Sequence, residues 1–276
     1  MKILLTGANS YVGARLYLDV SKVHDVVGTY AHNPLSEKLV QLDIIDHNAV
    51  KSLVSQVSPD IIIHCANNAD ARWCEANPDA AVKLNQESTK SIVDAADSCG
   101  AKVIYISSFA AFVPNNVYAK TKFESEKIIE KTQAGYLILR PSFILGFSPN
   151  TTNDRPFNRL LKNLDQKTEA IYDMSWKFQV TYIGHISEVI LACIERNIWN
   201  HMIPLTVEGL KTRYDTAYDI LSPFGVTVTP VDKNDTLPVL ENDLHQLKEL
   251  ALPQYTYANM IATIVNEIKQ RKMFVL

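Results

Sequence analysis

The sequence predicts an α/β protein built on a doubly wound parallel sheet, followed by a smaller C-terminal α/β part. Short runs that are apolar throughout alternate with longer amphipathic stretches, the first run leads into a glycine turn, and the regularity ends after about residue 146. Strands that are apolar on both sides indicate a parallel sheet covered by helices on both faces. Right-handed crossovers between such strands then give a doubly wound arrangement.

The first half of the chain supplies the alternating elements. Strands are predicted at 2–7, 24–30, 59–66, 101–108 and 135–142, and helices at 11–22, 47–57, 77–100 and from 117 onward. After a turn-rich stretch at 147–156, helices are predicted at 157–165, 184–196, 213–224 and 255–272. We therefore divide the chain into parts 1–150 and 151–276, and expect helix 184–196 to pack back on the first part.

Composition and charge exclude several classes of protein. A formal net charge of −3 gives no basic footprint for a nucleic acid. No apolar run approaches the roughly 20 residues that span a bilayer, so no membrane is expected. The four cysteines are Cys65, Cys74, Cys99 and Cys193. Their spacing fits neither a metal site nor a disulfide framework. We expect reduced thiols, no bound metal and a cytoplasmic protein.

A glycine turn, "TGANSYVG" (6–13), follows the first strand and opens the first helix. Gly7 and Gly13 occupy the first and third glycine positions of a dinucleotide-binding turn, and Ser10 stands at the middle one. Such a turn presents backbone N–H groups and a positive helix end to phosphate. The Ser10 hydroxyl can donate a further hydrogen bond there. The alternative is a tight turn that binds nothing.

The end of the second strand bears on the choice of dinucleotide. Proteins that select NAD usually carry an acidic residue there, which binds the ribose 2′-hydroxyl. This strand instead runs into "GTYAHNPLSEK" (28–38), with His32 and Asn33 at its tip. NADP(H) is therefore favoured, and NAD(H) is possible. The alternative is that these loop residues are solvent-exposed polar groups that contact no cofactor. Asp43 follows a short strand-like run that precedes helix 47–57, and it can accept a hydrogen bond from an adenine amino group, whereas Asp46 fits a helix N-cap.

A candidate catalytic set spans the strand 101–108 and the helix that begins at residue 117. Ser107 and Ser108 end the strand "YISS" (105–108), while Tyr118 and Lys122 lie one turn apart on the next helix. A phenol near a carbonyl reduced by hydride can protonate the alkoxide that forms. We expect the lysine ammonium to lower the tyrosine pKa and the serine hydroxyl to hold the carbonyl oxygen. The alternative is a surface helix and a strand that merely ends in serines.

Several motifs together resemble a known superfamily. "TGANSYVG", "LDIID", "PDIIIHCA", "VYISS", "YAKTK" and "LRPSFILG" occur in the order found in the extended short-chain dehydrogenase/reductase superfamily. "ANPDAAVKLNQEST" (76–89) and "SFAAF" (108–112) are similar to its dTDP-4-dehydrorhamnose reductase-like group, a relative of NAD-dependent epimerases and dehydratases. The resemblance implies a Rossmann fold and a catalytic triad of Ser108, Tyr118 and Lys122, with Ser107 as the alternative hydroxyl.

The resemblance also implies a set of cofactor contacts spread along the first part of the chain. They are Gly7, Ser10, Tyr11, Val12, Gly13, Asp43, Ile44, Cys65, Ala66, Asn67, Asn85, Pro141, Ser142 and Phe143. A nucleotide-sugar substrate would be held by the C-terminal part, and a homodimer would form through helices 77–99 and 117–132. The chain departs from the group at Ser10, at His185, where an Asp is usual, and at the short stretch "FAAFVPNNV" (109–117).

These features together predict the function. We expect an oxidoreductase that uses NADP(H) to reduce a keto group on a nucleotide-sugar-like substrate. One alternative is a non-catalytic NADP(H)-binding regulatory subunit, since the same group contains one. A further alternative is an NAD-dependent nucleotide-sugar epimerase or dehydratase. The absence of an acidic residue after the second strand disfavours this alternative.

Overall fold

The computed structural model describes residues 1–235 and 239–271 of the chain. Its strands are β1 (Lys2–Thr6), β2 (Asp25–Tyr30), β3 (Val40–Gln41), β4 (Ile61–His64), β5 (Lys102–Ile106), β6 (Tyr136–Pro141), β7 (Phe143–Leu145), β8 (Ala170–Asp173), β9 (Val180–Tyr182), β10 (His201–Leu205) and β11 (Val228–Val231). The last residue of the predicted helix 255–272 lies outside the described residues.

The helices separate these strands along the chain. They are α1 (Tyr11–Val20), α2 (His47–Val57), α3 (Ala71–Ala76), α4 (Pro78–Ala81), α5 (Ser88–Cys99), α6 (Val117–Ile129), α7 (Pro156–Gln166), α8 (Ile183–Glu195), α9 (Arg213–Leu221), α10 (His245–Glu249) and α11 (Tyr257–Lys269). Within residues 1–235 and 239–271, none of the helices is both long and apolar enough to cross a bilayer.

A parallel sheet of seven strands forms the centre of the molecule. Its strand order is β10-β6-β5-β4-β1-β2-β3, and every pairing within it is parallel. Strand order reverses between β1 and β4, which makes the carboxyl ends of these two strands the crevice where doubly wound sheets bind ligands. The predicted fold class is confirmed.

Helices cover both faces of this sheet because its strands are apolar on both sides. One face packs Ile3 and Leu5 against Leu16 of α1 and Ile186 of α8. The other face packs Leu4 and its neighbours against α2, α5 and α6. The C-terminal half thus contributes both a covering helix, α8, and an edge strand, β10, to the sheet.

A second hydrophobic core lies in the C-terminal part. It joins α7, α9 and α11 through buried residues that include Phe157, Leu161, Ile220 and Ile264. Two small parallel sheets, β11-β8 and β7-β9, complete this part. Tyr11 of α1 belongs to the same core, so the two parts share side chains at the glycine turn.

The predicted helix 77–100 is divided in the structure. Asp70 caps the short helix α3, which ends at Asn77, and Pro78 starts α4. A π-helical turn over Val82–Glu87 then leads into α5. Proline fits the first turn of a helix because its missing N–H would have no partner there. A π-helical turn inside a helix often marks a functional region, and this one carries Asn85.

Candidate active site

The glycine turn brings the start of α1 against the end of β1. Gly7 has a φ of +70°, which favours glycine, and a side-chain carbon added there would lie 2.8 Å from the Ala66 backbone. A side-chain carbon added at Gly13 would lie 2.0 Å from the Gly7 carbonyl oxygen. Ser10 caps the helix, and its Oγ accepts a hydrogen bond from the Gly13 amide at 3.0 Å. Both glycines are therefore required by the backbone.

A cavity of about 230 Å³ opens at the carboxyl ends of the central strands. It collects twelve of the residues that the sequence predicts: Ser10, Tyr11, Val12, Cys65, Asn67, Ser107, Ser108, Tyr118, Lys122, Pro141, Ser142 and Phe143. The sequence did not single out three others as site residues, Ile106, Ile144 and Pro156. Elements that are far apart in the chain thus meet around one space.

The two serines at the end of β5 differ in their surroundings. Ser107 is buried, and its hydroxyl donates to Glu126 Oε1 at 2.6 Å. Glu126 also accepts two hydrogen bonds from Arg140, at 2.8 and 2.6 Å. Ser108 is partly exposed, lines the cavity together with Tyr118, and accepts a hydrogen bond from the Ala110 amide in the following turn. This geometry favours Ser108 for the hydroxyl role.

The buried network at Glu126 is a feature that the sequence reasoning missed. Glu126 lies on α6 four residues after Lys122, hence one turn further along the same face. A carboxylate this buried requires partners, and Arg140 and Ser107 supply them. The four-residue spacing between Lys122 and Glu126 was the signal in the sequence from which this network could have been found. The network fixes the end of β5 to α6 and so sets the distance between Ser108 and Tyr118.

Lys122 is directed into the interior beneath the cavity. Its side chain is 1% exposed, and Nζ donates to the Ile106 carbonyl at 2.8 Å. The same Nζ lies 4.5 Å from the centre of the Tyr105 ring. Burial lowers the pKa of Lys122 to about 7, against weaker opposing effects of Cys65 and Glu126. Burial thus disfavours the charged form of this lysine.

The effect of Lys122 on the Tyr118 phenol stays a prediction. Burial raises the pKa of the Tyr118 phenol above its usual value, while the hydrogen bond with Ser108 and the charge of Arg155 oppose the rise. Lys122 is not among the groups that shift the Tyr118 pKa, and its Nζ donates to the Ile106 carbonyl.

The loop after β2 is fastened to the glycine turn. Asn9 Nδ2 donates to the carbonyls of His32 and Asn33 at 3.1 and 2.9 Å, and its Oδ1 accepts from the Leu35 amide. Asn33 has a φ of +49°, a conformation that Asn tolerates. Both His32 and Asn33 are exposed at the strand tip. β3 pairs in parallel with β2, with Tyr30 opposite Gln41, so Asp43 and Ile44 follow at the same end of the sheet.

The remaining predicted contacts lie outside the cavity lining. Asp43 is exposed, and one of its oxygens accepts from the Ile45 amide. Asn85 is 1% exposed, and its amide group bonds both the N–H and the carbonyl of Asn68. It therefore holds the stretch after β4 in place, where Asn67 reaches the cavity. Gly7, Gly13 and Ala66 form the backbone of the turn itself.

The segment after β7 carries a further group into the cavity. Arg155 lines it and caps the start of α7. The segment is tied to the glycine turn, because the Ser148 hydroxyl donates to the Tyr11 carbonyl and Asn150 Nδ2 donates to the Asn9 carbonyl, both at 2.6 Å. The Tyr11 hydroxyl in turn donates to the Gly146 carbonyl.

An aromatic cluster lies beyond this segment. Phe143 and Phe178 have ring centres 4.2 Å apart, and Trp176 packs on Phe178 at 5.0 Å. The Arg213 guanidinium lies over the rings of Phe143 and Trp176. Phe143 faces both the cavity and a smaller neighbouring pocket of about 50 Å³. Across the described part of the chain, no three His, Cys, Asp or Glu side chains group as a metal site requires.

The sheet, the glycine turn and the Ser-Tyr-Lys arrangement define a Rossmann-fold protein of the extended short-chain dehydrogenase/reductase superfamily. Residues 1–241 match the family described as "RmlD substrate binding domain". The chain belongs to this family, which confirms the resemblance to the dTDP-4-dehydrorhamnose reductase-like group.

Curated relatives match the chain over part of their length. The chain is 30% identical to methionine adenosyltransferase 2 subunit beta of Bos taurus over 158 residues, 52% of the chain and 47% of that protein. It is 28% identical to dTDP-4-dehydrorhamnose reductase of Salmonella typhimurium over 158 residues, 52% of each. The chain thus spans about half the length of these relatives.

A solved structure is similar over nearly the whole chain. The dTDP-4-dehydrorhamnose reductase of Bacillus anthracis, crystallised in complex with NADP, superposes with a TM-score of 0.81 at 20% identity. The superposition covers 96% of this chain and 99% of that protein. At this level of identity the likeness establishes the fold.

Proposed function

We propose that the chain is an NADP(H)-dependent reductase of a keto group on a nucleotide-sugar-like substrate. The observation that carries this proposal is the shared cavity, in which Ser108, Tyr118 and Lys122 face the start of α1 and the Pro141–Phe143 stretch. Membership of a family with dTDP-4-dehydrorhamnose reductases supports the same chemistry.

The glycine turn fits a dinucleotide phosphate. Ser10 Oγ already accepts from the Gly13 amide, which leaves its hydroxyl hydrogen to donate to a phosphate oxygen. The first N–H groups of α1 point to the same place, and a helix start attracts negative charge. His32 and Asn33 at the tip of β2 present no carboxylate to a 2′-phosphate, which favours NADP(H) over NAD(H).

The side chains around the cavity divide the reaction between them. The cofactor supplies hydride when it is bound. The Ser108 hydroxyl would donate a hydrogen bond to the substrate carbonyl oxygen, and the Tyr118 O–H bond would break as its proton passes to that oxygen. Lys122 would hold the floor of the cavity through the Ile106 carbonyl. The Glu126 network keeps Ser108 and Tyr118 at a fixed separation.

The aromatic cluster supports a nucleotide-like substrate. Phe143, Trp176 and Phe178 offer flat apolar surfaces next to the cavity, and Arg213 brings a guanidinium over two of these rings. Nucleobases stack on aromatic rings, and arginine matches phosphate geometry. We propose that the C-terminal part, within 151–276, holds the substrate.

Turnover with a defined substrate tests the proposal. The purified chain should bind NADPH and oxidise it when a 4-keto nucleotide sugar is added. Tyr118→Phe should abolish oxidation and leave the NADPH dissociation constant unchanged, because the phenol donates the proton without holding the cofactor. Tyr218→Phe, on the exposed face of α9, is the matched control and should leave both unchanged. Full oxidation by Tyr118→Phe would contradict the proposal.

A regulatory subunit is the second candidate function. It is favoured by the match to methionine adenosyltransferase 2 subunit beta, which the sequence resembles more strongly than the reductase. In that case NADPH would bind tightly, no nucleotide-sugar ketone would be reduced, and the chain would associate with a partner enzyme. The third candidate, an NAD-dependent epimerase or dehydratase, would instead be purified with NAD that does not exchange.

Two further properties belong to the proposal. A cytoplasmic location is supported by the four cysteines, all of which are free thiols. A homodimer through α5 and α6 remains a prediction, and these helices carry exposed intrahelical ion pairs, Lys90–Asp94 and Lys127–Glu124. Light scattering of the purified chain measures the oligomeric state directly.

A further inference from the structure

We propose that His64 is a positioning residue for the cofactor, which holds the glycine turn in a fixed place relative to the helix that carries Tyr118. It does so as the central link of a buried chain of hydrogen bonds between these two elements. His64 is not among the residues that line the cavity. Its role rests on the proposed binding of NADP(H) at the glycine turn, and it acts through the backbone of that turn.

The first end of this chain lies at the glycine turn. Thr6 comes immediately before Gly7, and its Oγ1 accepts a hydrogen bond from the Ala66 amide at 3.4 Å. The Ala66 backbone is also what a side chain added at Gly7 would meet, at 2.8 Å. The Thr6 carbonyl accepts from the Cys65 amide at 3.2 Å. Thr6 therefore sets how closely the ends of β1 and β4 approach, at the crevice where strand order reverses.

His64 ends β4 and joins the Thr6 hydroxyl to helix α5. Its Nδ1 lies 2.8 Å from Thr6 Oγ1, and its Nε2 lies 3.2 Å from Thr89 Oγ1. The imidazole is 1% exposed and stacks on the Tyr105 ring, with the ring centres 5.6 Å apart. Both ring nitrogens therefore have a hydroxyl partner in the interior, and the stacked ring fixes the plane in which these partners lie.

The hydroxyl partners decide which nitrogen of His64 carries the proton. The Thr89 hydroxyl donates its hydrogen to the Asn85 carbonyl at 2.8 Å, so its oxygen accepts from the imidazole. Nε2 of His64 is therefore protonated, and Nδ1 accepts the hydrogen of the Thr6 hydroxyl. Burial lowers the pKa of His64 to about 3, and the charge of Lys122 adds to this effect, which favours the neutral ring that this arrangement needs.

The chain of hydrogen bonds continues from Asn85 to the helix that carries Tyr118. Asn85 Nδ2 donates to Thr121 Oγ1 at 3.3 Å, and the Thr121 hydroxyl donates to the Tyr118 carbonyl at 2.8 Å. The donors thus all run in one direction, from the Ala66 amide to the Tyr118 carbonyl. The side chains that form the chain are at most 2% exposed, and are Thr6, His64, Thr89, Asn85 and Thr121.

Burial makes His64 the link on which this chain depends. Water does not reach these side chains, so a hydroxyl that loses its partner here remains unsatisfied. An apolar side chain at position 64 would leave the Thr6 hydroxyl without an acceptor and the Thr89 oxygen without a donor. The end of β1 would then no longer be held against β4 and α5. The first N–H groups of α1 would lose the single geometry in which they meet the cofactor phosphates.

Calorimetric titration with NADPH tests this role without any substrate. His64→Leu should raise the NADPH dissociation constant about tenfold, as expected when buried groups lose their partner. Thr6→Val keeps the shape of the side chain and should give a similar rise, so it carries the test if His64→Leu does not fold. Thr6→Ser keeps the hydroxyl and should retain most of the affinity. The double variant should bind no more weakly than either single variant, because both changes remove the same link.

A control variant and a spectroscopic measurement separate positioning from stability. Thr132→Val removes a buried hydroxyl that donates to the Ile129 carbonyl beyond the end of α6, and should lower Tm without changing the dissociation constant. Nitrogen-15 NMR of the histidine-labelled chain should show His64 protonated at Nε2 alone.

Two results would overturn the role of His64. One is wild-type NADPH affinity in both His64→Leu and Thr6→Val, which would leave the proposed reductase untouched if the wild-type chain oxidises NADPH. The other is an imidazole that carries its proton at Nδ1. Weakened NADPH binding in these variants of a chain that reduces no nucleotide-sugar ketone would instead refute the proposed reductase and support the role of His64.

Discussion

The buried ion pair between Arg15 and Glu267 joins the first helix of the chain to its last. Arg15 Nη1 lies 2.8 Å from Glu267 Oε1, and the two side chains are 7% and 8% exposed. Glu267 also accepts from the Tyr182 hydroxyl at 2.5 Å and from the Phe147 amide at 3.1 Å. Glu267→Ala removes these three contacts at once and leaves the guanidinium of Arg15 in the interior.

The size of the effect follows from the burial. Removing one partner of a buried ion pair destabilises a protein by roughly 3–5 kcal/mol, because the other charge remains desolvated. Arg15 keeps Asp19 at 2.6 Å and the Phe147 carbonyl at 2.8 Å, which places the expected loss at the lower end. A loss of about 3 kcal/mol corresponds to a fall in Tm of roughly 6–12 °C for a chain of this size.

Thermal unfolding followed by circular dichroism measures this fall. Glu124→Ala is the matched control, since it breaks the pair with Lys127, in which both side chains are nearly half exposed. An exposed pair contributes about 0–1 kcal/mol, so the control should lower Tm by a few degrees at most. If Glu267→Ala lowers Tm no more than Glu124→Ala, the pair does not hold the C-terminal helix as we argue.

Three further predictions concern the site and its supports. Gly13→Ala places a methyl group 2.0 Å from the Gly7 carbonyl oxygen. The NADPH dissociation constant measured by calorimetry should rise at least about tenfold, or 1.4 kcal/mol. An unchanged affinity would contradict the geometry of the turn. Burial lowers the pKa of Lys122 from 10.5 to about 7, so between these two pH values the unfolded state binds more protons than the folded state. The free energy of unfolding should therefore rise with pH across this range. Urea titrations of Lys122→Met should lack this rise. Asn85→Ala leaves the N–H and the carbonyl of Asn68 without their partner. It should reduce the free energy of unfolding by about 1–3 kcal/mol and also weaken NADPH binding. An effect on stability alone would mean that the stretch after β4 does not shape the cavity.

The parts of the fold that depend on local pattern could be predicted from the sequence. The Asp46 side chain caps α2 as expected and accepts from the Asn48 and Ala49 amides at 3.0 Å. The five strand runs of the first half all form strands of one sheet, because residues apolar on both sides have to be covered on both sides. The glycine turn could be identified for a similar reason, since its backbone tolerates few other residues.

The parts that depend on distant contacts could not be predicted. β10 is five residues long and lies after the irregular region, so its place beside β6 is decided by packing. The short helix α3 before Asn77 was not predicted, and the π-helical turn over Val82–Glu87 divides a stretch that periodicity alone predicts as one helix. The C-terminal helix α11 shows an amphipathic pattern, yet nothing local pairs its Glu267 with Arg15.

The sequence by itself determined that Tyr118 and Lys122 share one face of α6 and follow a strand that ends in serines. Helical periodicity sets that spacing, whatever surrounds the helix. The tertiary structure alone decided what surrounds these side chains. Lys122 Nζ donates to the Ile106 carbonyl beneath the cavity, and Arg155 lines the same cavity because the loop 146–158 is bonded to the glycine turn. A buried charge finds its partner through long-range packing, and no spacing within one helix encodes that partner.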